Sequence, residues 1–137
     1  MLVQAYLFFH GRCEEALTFY RQALGAEISE LLRFSDSPDP LPEGMLPPGY
    51  ESKVMHCCFR IGETQVMASD GCSAEQPGFK GFSLSITLPS AAEADRIFTA
   101  LGEGGQVQMP LGKTFWSPCF GIVMDRFGVS WMLNVIE

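Results

Sequence analysis

The sequence predicts an α+β fold built twice, as two tandem βαβββ units in one chain of 137 residues. Three observations predict it. Residues 120–124 are apolar and extended, Asp125-Arg126-Phe127-Gly128 has turn chemistry, and residues 129–136 are extended again, so the end of the chain reads as a hairpin. The front half carries a weaker copy of that hairpin, residues 53–61 and Thr64–Ser69 turning at Gly62-Glu63. Finally, two helical stretches end alike, at Ala23-Leu24-Gly25 and at Ala100-Leu101-Gly102, 77 positions apart.

Taken in order, residues 3–9 read as a strand. Cys13–Leu24 reads as a helix, because Cys13, Ala16, Leu17, Tyr20, Ala23 and Leu24 recur on one face. Gly25 ends it, since glycine reaches the left-handed conformation that stops a helix. Residues 26–34 are a second strand. Residues 35–50 form a loop holding five of the nine prolines (Pro38, Pro40, Pro42, Pro47, Pro48), either a lid over a site or surface decoration. The hairpin of 53–61 and Thr64–Ser69 completes the first unit, and residues 70–81 form a linker.

The second unit repeats the order. In the strand of 82–88, Phe82, Leu84, Ile86 and Leu88 alternate with Ser83, Ser85 and Thr87. Ser90 caps the next helix, with Glu93 three residues on as a capping box. Ala94, Ile97, Phe98 and Leu101 form its buried stripe, and Gly102 ends it. Residues 106–110, 120–125 and 129–136 supply three strands. The units thus cover approximately 1–70 and 80–137 of a single domain spanning 1–137. Gly62 and Gly128, at the hairpin turns, stand 66 positions apart, so the first unit carries about eleven extra residues, which the proline loop supplies.

Composition excludes several classes of function. The formal charge of −7 and the lack of a Lys/Arg cluster argue against nucleic acid, whose phosphates would be repelled. No apolar run approaches the ~18 residues of a membrane-spanning helix, and no secretion signal opens the chain. The five cysteines are odd in number and include no C-x-x-C pair. Cys57 and Cys58, adjacent on a strand, point to opposite faces. The set reads as buried, reduced thiols of a cytoplasmic protein, the alternative being a catalytic cysteine.

Few residues offer chemistry. His56 falls within a strand, on a face shared with Val54 and Cys58. It is either a core histidine held by a hydrogen bond or a catalytic acid/base. His10 reads as a turn residue beside Gly11. Asp70 and Asp125 end strands where a carboxylate binds nearby backbone.

Several motifs fall in a telling order: Tyr6-Leu7-Phe8-Phe9-His10-Gly11, Glu15-Ala16-Leu17-Thr18-Phe19-Tyr20, Val54-Met55-His56, Met67-Ala68-Ser69-Asp70, Met109-Pro110-Leu111, and the run from Phe115-Trp116 to Trp131. Together they resemble the PhnB-like branch of the vicinal oxygen chelate superfamily, which includes glyoxalase I, bleomycin-resistance proteins, fosfomycin-resistance enzymes and extradiol dioxygenases. The resemblance covers essentially the whole chain. It implies a curved mixed sheet around a cleft, helices outside, and a homodimer. It also implies a divalent metal held by His and Glu from the first and last strands of each unit. At those places this chain carries Gln4 or Ala5, Gln65 to Met67, Phe82 or Ser83, and Met132. None is His, Asp, Glu or Cys, which such an ion needs, so no metal and no cofactor are expected. Some relatives carry the label of a ubiquinone-pathway methyltransferase. The glycine cluster Gly102-Glu103-Gly104-Gly105, however, follows a helix, whereas a methyl-donor fold wants such a turn between strand and helix.

Within such a fold, Ser83, Ser85 and Thr87 face either the cleft or plain solvent. The offset of 77 matches Tyr6 and Phe8 to Ser83 and Ser85, so one half offers rings and the other hydroxyls. That pairing suits an aromatic or partly apolar organic ligand oriented by a few hydrogen bonds. Trp116, at the start of a strand near the cleft mouth, joins Tyr6, Ser83 and Ser85 as an expected ligand contact. The expected function is small-molecule binding without a metal. The alternative is an enzyme (lyase, isomerase or transferase) using the same cleft, with His56 as its candidate catalytic residue.

Overall fold

The computed structural model describes residues 1–39, 41–73, 75 and 78–136; Pro40 of the proline loop and Ala74, Gln76 and Pro77 of the linker lie outside them. The chain divides into two compact units, residues 1–76 and 77–137. Each is a four-stranded mixed sheet with one helix, in the order βαβββ.

The first unit consists of β1 (Tyr6–Phe8), α1 (Cys13–Leu24), β2 (Glu27–Arg33), β3 (Val54–Ile61) and β4 (Thr64–Ser69). Its strands lie in the order β1-β4-β3-β2, with β1 parallel to β4 and the other pairs antiparallel. β1 is shorter than the predicted 3–9, but its flanks still pair: Met67 N–H donates to the Ala5 carbonyl at 3.1 Å and Phe9 N–H to that of Ser69 at 2.9 Å. α1 ends as predicted. Gly25 takes φ 68°, a conformation strained for any residue with a Cβ, and its N–H donates to Arg21. The helix buries Cys13, Ala16, Leu17, Phe19, Tyr20 and Ala23, with Phe19 on the stripe where Leu24 was expected. Its Tyr20 stacks on Phe59, ring centroids 6.0 Å apart, and its Cys13 Sγ lies 3.7 Å from Cys57 Sγ.

Those two contacts fix the faces of the sheet. Cys57 and Phe59 look toward α1, and so do their ladder partners Ala68, Val66, Leu31 and Ile28. Tyr6, Phe8, Met67, Cys58 and Glu30 alternate with them and occupy the face away from the helix. Two irregularities break simple alternation. Ladder partners jump from Ile28 to Glu30 on β2, and Met55 of β3 is skipped between the pairs Leu32–His56 and Arg33–Val54. The second jump corrects the sequence reading. His56 shares its face with Cys58 but not with Val54, which pairs with Arg33 on the side of α1, where Arg33 binds Glu14.

The second unit consists of β5 (Leu84–Leu88), α2 (Ala91–Gly102), β6 (Gln106–Gly112), β7 (Cys119–Met124) and β8 (Ser130–Val135), in the sheet order β5-β8-β7-β6. Its topology repeats the first, β5 running parallel to β8. Ser90 caps α2 as predicted, its Oγ accepting the Glu93 N–H at 3.2 Å, which is the Ser90 half of the expected capping box. Gly102 is the last residue of α2, as the sequence predicts, but it is not left-handed; that conformation falls at Gly104, φ 76°. Gly102 lies where a Cβ would stand 3.3 Å from Val123 Cγ2, so its value is a close helix–strand approach. Val123 therefore faces α2, with its partner Trp131 and, beyond that, Leu84. Ser85, Thr87, Met132 and Asn134 take the opposite face. Buried Asp125 holds the hairpin turn, accepting Phe127 N–H, Val129 N–H and Trp131 Nε1–H at 2.8, 3.1 and 2.9 Å.

Among the described residues, no helix is long and apolar enough to cross a membrane.

Candidate functional site

The helix-free face of the first unit gathers the side chains with chemical capacity. Tyr6 and Phe8 leave it from β1, ring centroids 5.1 Å apart and both substantially exposed, at 37% and 47%. The Tyr6 hydroxyl lies 3.0 Å from His56 Nδ1. His56 Nε2 on the other side of the ring lies 3.5 Å from Cys58 Sγ and 3.9 Å from Glu30 Oε2. Cys58 Sγ lies 4.0 Å from the same carboxylate oxygen, closing a triangle of three different donor atoms.

Two members of this cluster, Tyr6 and Cys58, hold their protons more tightly than usual. Burial raises the Tyr6 hydroxyl above its ordinary range. Burial also raises the Cys58 thiol, and the Glu30 carboxylate adds to the effect by disfavouring a second negative charge. Cys58 is therefore no ready nucleophile on its own. Cys13 on the helix side is pushed up as well, by its contact with the Cys57 thiol and by burial.

The sequence singled out Tyr6 and His56, which the structure brings into contact, and it noted Cys58 beside His56. It missed Glu30. Strict alternation from Ile28, which faces α1, would put Glu30 on the helix side as well. The extra residue Ser29 sits opposite Cys58 together with Glu30 and turns Glu30 to the open face. A run of two exposed residues inside β2, Ser29 and Glu30, is its signature once the fold is in hand.

In the second unit, Ser85 lies away from α2, as the alternation predicts, and Ser83, just before β5, meets Ser130, which alternates with Trp131. Ser83 Oγ donates to Ser130 Oγ at 2.8 Å, whereas Ser85 and Thr87 are exposed. Trp116 is exposed and packs edge-on against Phe120, ring centroids 5.3 Å apart. Phe120 pairs with Asn134, which pairs with Thr87, so Trp116 stands at the Thr87 end of this face and Ser83 at the other. Asn134 Oδ1 is the buried side-chain oxygen that, among the described residues, has no hydrogen-bond partner.

The remaining sequence candidates are structural. His10 is a turn residue at φ 50° with its ring 3.1 Å from the Ser73 carbonyl. Asp70 is buried and binds backbone. Two cysteines depart from the buried set expected: Cys72 is exposed and Cys119 half-buried, although all five are free thiols. A cavity of about 220 Å³ near the start of α1 is lined by Glu14, Arg33, Lys53 and Asp70. Its charges are engaged internally, Arg33 with Glu14 at 2.8 Å and Lys53 with the Gly11 carbonyl at 3.0 Å.

The superfamily's metal positions can be tested on this donor set. The open-face residues of the first and last strands are Tyr6, Phe8, Gln65, Met67 and Ser69 in one unit, Ser85, Thr87, Ser130, Met132 and Asn134 in the other. None offers the imidazole, carboxylate or thiolate that a hard or borderline divalent ion needs. Neighbouring Gln4 lies 3.5 Å from the Gln65 carbonyl, a contact within the protein.

Comparison with known proteins gives a consistent picture. The model of the family described as 3-demethylubiquinone-9 3-methyltransferase matches residues 2–134. The protein YjdN of Escherichia coli K12 is 33% identical over all of this chain and 97% of its own. Protein PA1353 from Pseudomonas aeruginosa is 45% identical, with a TM-score of 0.85, over 98% of this chain and 97% of its own. A PhnB protein from Bacillus cereus, a putative 3-demethylubiquinone-9 3-methyltransferase, is 31% identical, with a TM-score of 0.78, over 99% of this chain and 100% of its own. At the level of fold alone, the fosfomycin resistance protein FosX from Listeria monocytogenes is similar, at 12% identity and a TM-score of 0.64 over 100% of this chain and 93% of its own.

Proposed function

This chain belongs to the 3-demethylubiquinone-9 3-methyltransferase family, in the PhnB-like branch of the vicinal oxygen chelate superfamily, and on that premise we propose that it binds a small organic molecule without a metal at the superfamily's four ligand positions. The observation that carries the proposal is the exposed pair of rings, Tyr6 and Phe8, beside the polar group His56 on an open sheet face. Exposed rings with a few convergent polar atoms suit an aromatic or partly apolar ligand. Ser83, Ser85 and Trp116 are the contacts proposed on the open face of the second unit, where the unpartnered Asn134 Oδ1 awaits a donor. We further propose a homodimer, since each sheet has edges to protect, and a cytoplasmic location, which suits five free thiols.

A thermal-shift screen against metabolites and antibiotics tests the reading, because a ligand stabilises the folded state by mass action. A compound should raise the melting temperature, and Tyr6→Ala or Trp116→Ala should reduce the shift. A shift unchanged in both variants would refute these contacts. Light scattering that returns a monomer mass at micromolar concentration would refute the dimer.

The contact between Tyr6 and His56 at 3.0 Å favours a second reading, a lyase, isomerase or transferase in which His56 moves a proton. Turnover of the stabilising compound that disappears in His56→Ala would establish it. Methyl transfer is not the reaction we propose. The connections from β1 to α1 (Phe9-His10-Gly11-Arg12) and from β5 to α2 (Pro89-Ser90) are not glycine-rich turns.

A further inference from the structure

We propose that Glu30, His56 and Cys58 form a three-ligand site for a borderline divalent cation such as zinc, with Tyr6 positioning the imidazole from behind. The site lies on β2 and β3, away from the four positions where the superfamily supplies its metal ligands. It sets aside, for this place, the expectation that the chain binds no metal. It does not depend on the organic ligand proposed above.

Geometry is the first argument. Carboxylate oxygen, imidazole nitrogen and thiol sulfur all lie within 4.8 Å of one another. Tetrahedral zinc, with bonds of about 2.0 to 2.3 Å, sets such atoms roughly 3.4 to 3.6 Å apart. The Cys58 Sγ to His56 Nε2 separation, 3.5 Å, already meets that spacing. The two separations to Glu30 Oε2, 3.9 and 4.0 Å, exceed it by about half an ångström. Glu30 is the exposed member, with 53% of its side-chain surface open, so its carboxylate can close the difference.

The second argument is the back of the ring. His56 Nδ1 is taken by the Tyr6 hydroxyl at 3.0 Å, which leaves Nε2 facing Cys58 and Glu30. A ligating imidazole needs this arrangement: one nitrogen bound to the ion, the other donating its N–H to a fixed oxygen. Tyr6 is thus a positioning residue. Mixed sulfur, nitrogen and oxygen donors select zinc or a similar ion over magnesium or calcium, which prefer oxygen alone. Three protein ligands leave a fourth position open toward the face that bears Tyr6 and Phe8. On binding, the Cys58 S–H bond breaks, its proton passes to solvent, and a bond from sulfur to metal forms.

Titration of the untagged full-length apoprotein with Co²⁺ tests the site. One equivalent should bind saturably, release about one proton and produce a thiolate-to-cobalt charge-transfer band in the near ultraviolet, and Zn²⁺ should displace it with no further proton release. Cys58→Ser should abolish the band, and Glu30→Gln should weaken Zn²⁺ binding by roughly tenfold or more. Tyr6→Phe should also weaken binding, roughly tenfold, while retaining the band. Cys72→Ser, on an exposed thiol outside the cluster, should change neither. Glu30 is exposed, so Glu30→Gln keeps the test decisive if Cys58→Ser fails to fold. Absence of saturable binding, a band that survives Cys58→Ser, unchanged affinity in Glu30→Gln, or a band lost in Cys72→Ser would each overturn the proposal.

Discussion

Asp70 and Val54 hold each other in both directions. Asp70 Oδ2 accepts the Val54 N–H at 2.8 Å, and the Asp70 N–H donates to the Val54 carbonyl at 2.9 Å. The other carboxylate oxygen, Oδ1, accepts Gly11 N–H at 2.7 Å and Cys13 N–H at 2.8 Å. One buried side chain therefore ties the start of β3 and the start of α1 to the end of β4. It also replaces the missing cap at Arg12, which makes no side-chain capping bond.

Asp70→Asn should lower the unfolding free energy by about 3 kcal/mol, because hydrogen bonds to a buried charge are strong and an amide NH₂ would face a backbone donor. Urea denaturation checks it. A loss below about 1 kcal/mol would show that Asp70 is not the clasp described.

Glu14 gives a pH-dependent prediction. Its hydrogen bonds to Arg33 hold the carboxyl below its ordinary range. A group whose folded pKa is depressed contributes stability above its unfolded pKa and loses it as pH falls through the folded one. Glu14→Gln should lower the thermal midpoint slightly at neutral pH, the pair being exposed and screened. The gap should vanish once the pH lies below the depressed value. A gap that persists at strongly acidic pH would refute the linkage.

Alkylation reads the environment of Cys58. Iodoacetamide attacks thiolates, and Cys58 is buried with its pKa raised, whereas Cys72 is exposed. Peptide mass spectrometry of the metal-free protein should find Cys72 modified well before Cys58. Glu30→Gln removes a negative charge that opposes the Cys58 thiolate, so it should speed the reaction at Cys58 and leave Cys72 unaffected. Equal Cys58 rates in both proteins would contradict the assigned contact.

Gly121 supplies a packing test. A Cβ there would stand 2.9 Å from both Phe98 and Leu111 side-chain carbons and 3.1 Å from Leu111 Cα. Gly121→Ala should therefore cost roughly 1 to 3 kcal/mol, measurable by chemical denaturation. A neutral effect would mean that α2 and β6 give way freely around β7.

Periodicity made the repeat legible. The bounds of α1 and β4 agree with the sequence reading residue for residue, because both carry strong local signals: a helical stripe closed by Gly25, and a strand started by a two-residue turn. Gly102 closes α2 as read, but the left-handed residue is Gly104, because a glycine can serve close packing as well as a left-handed turn, and both uses lie within three residues here. Alternation sufficed for the polar face of Ser85 and Thr87 on β5, but not for all of the face of His56, which stands beside the irregularity at Met55. Glu30 was invisible because its face depends on a ladder irregularity that composition does not encode. Asp70 was read as binding only its neighbours, since its partners at Gly11 and Cys13 are distant in sequence.

The extra residue at Ser29 also decides how this face could be redesigned. Deleting Ser29 would straighten β2 yet keep Glu30 opposite Cys58, because the ladder pairs on either side, Ile28 with Phe59 and Glu30 with Cys58, are already consecutive on β3. Substitution alone cannot move the carboxylate to the helix side. That would take a one-residue slip of register, which would also turn Leu31 and Leu32 to the other face. Spacing along the chain and direction across the sheet are thus separate design variables at this strand.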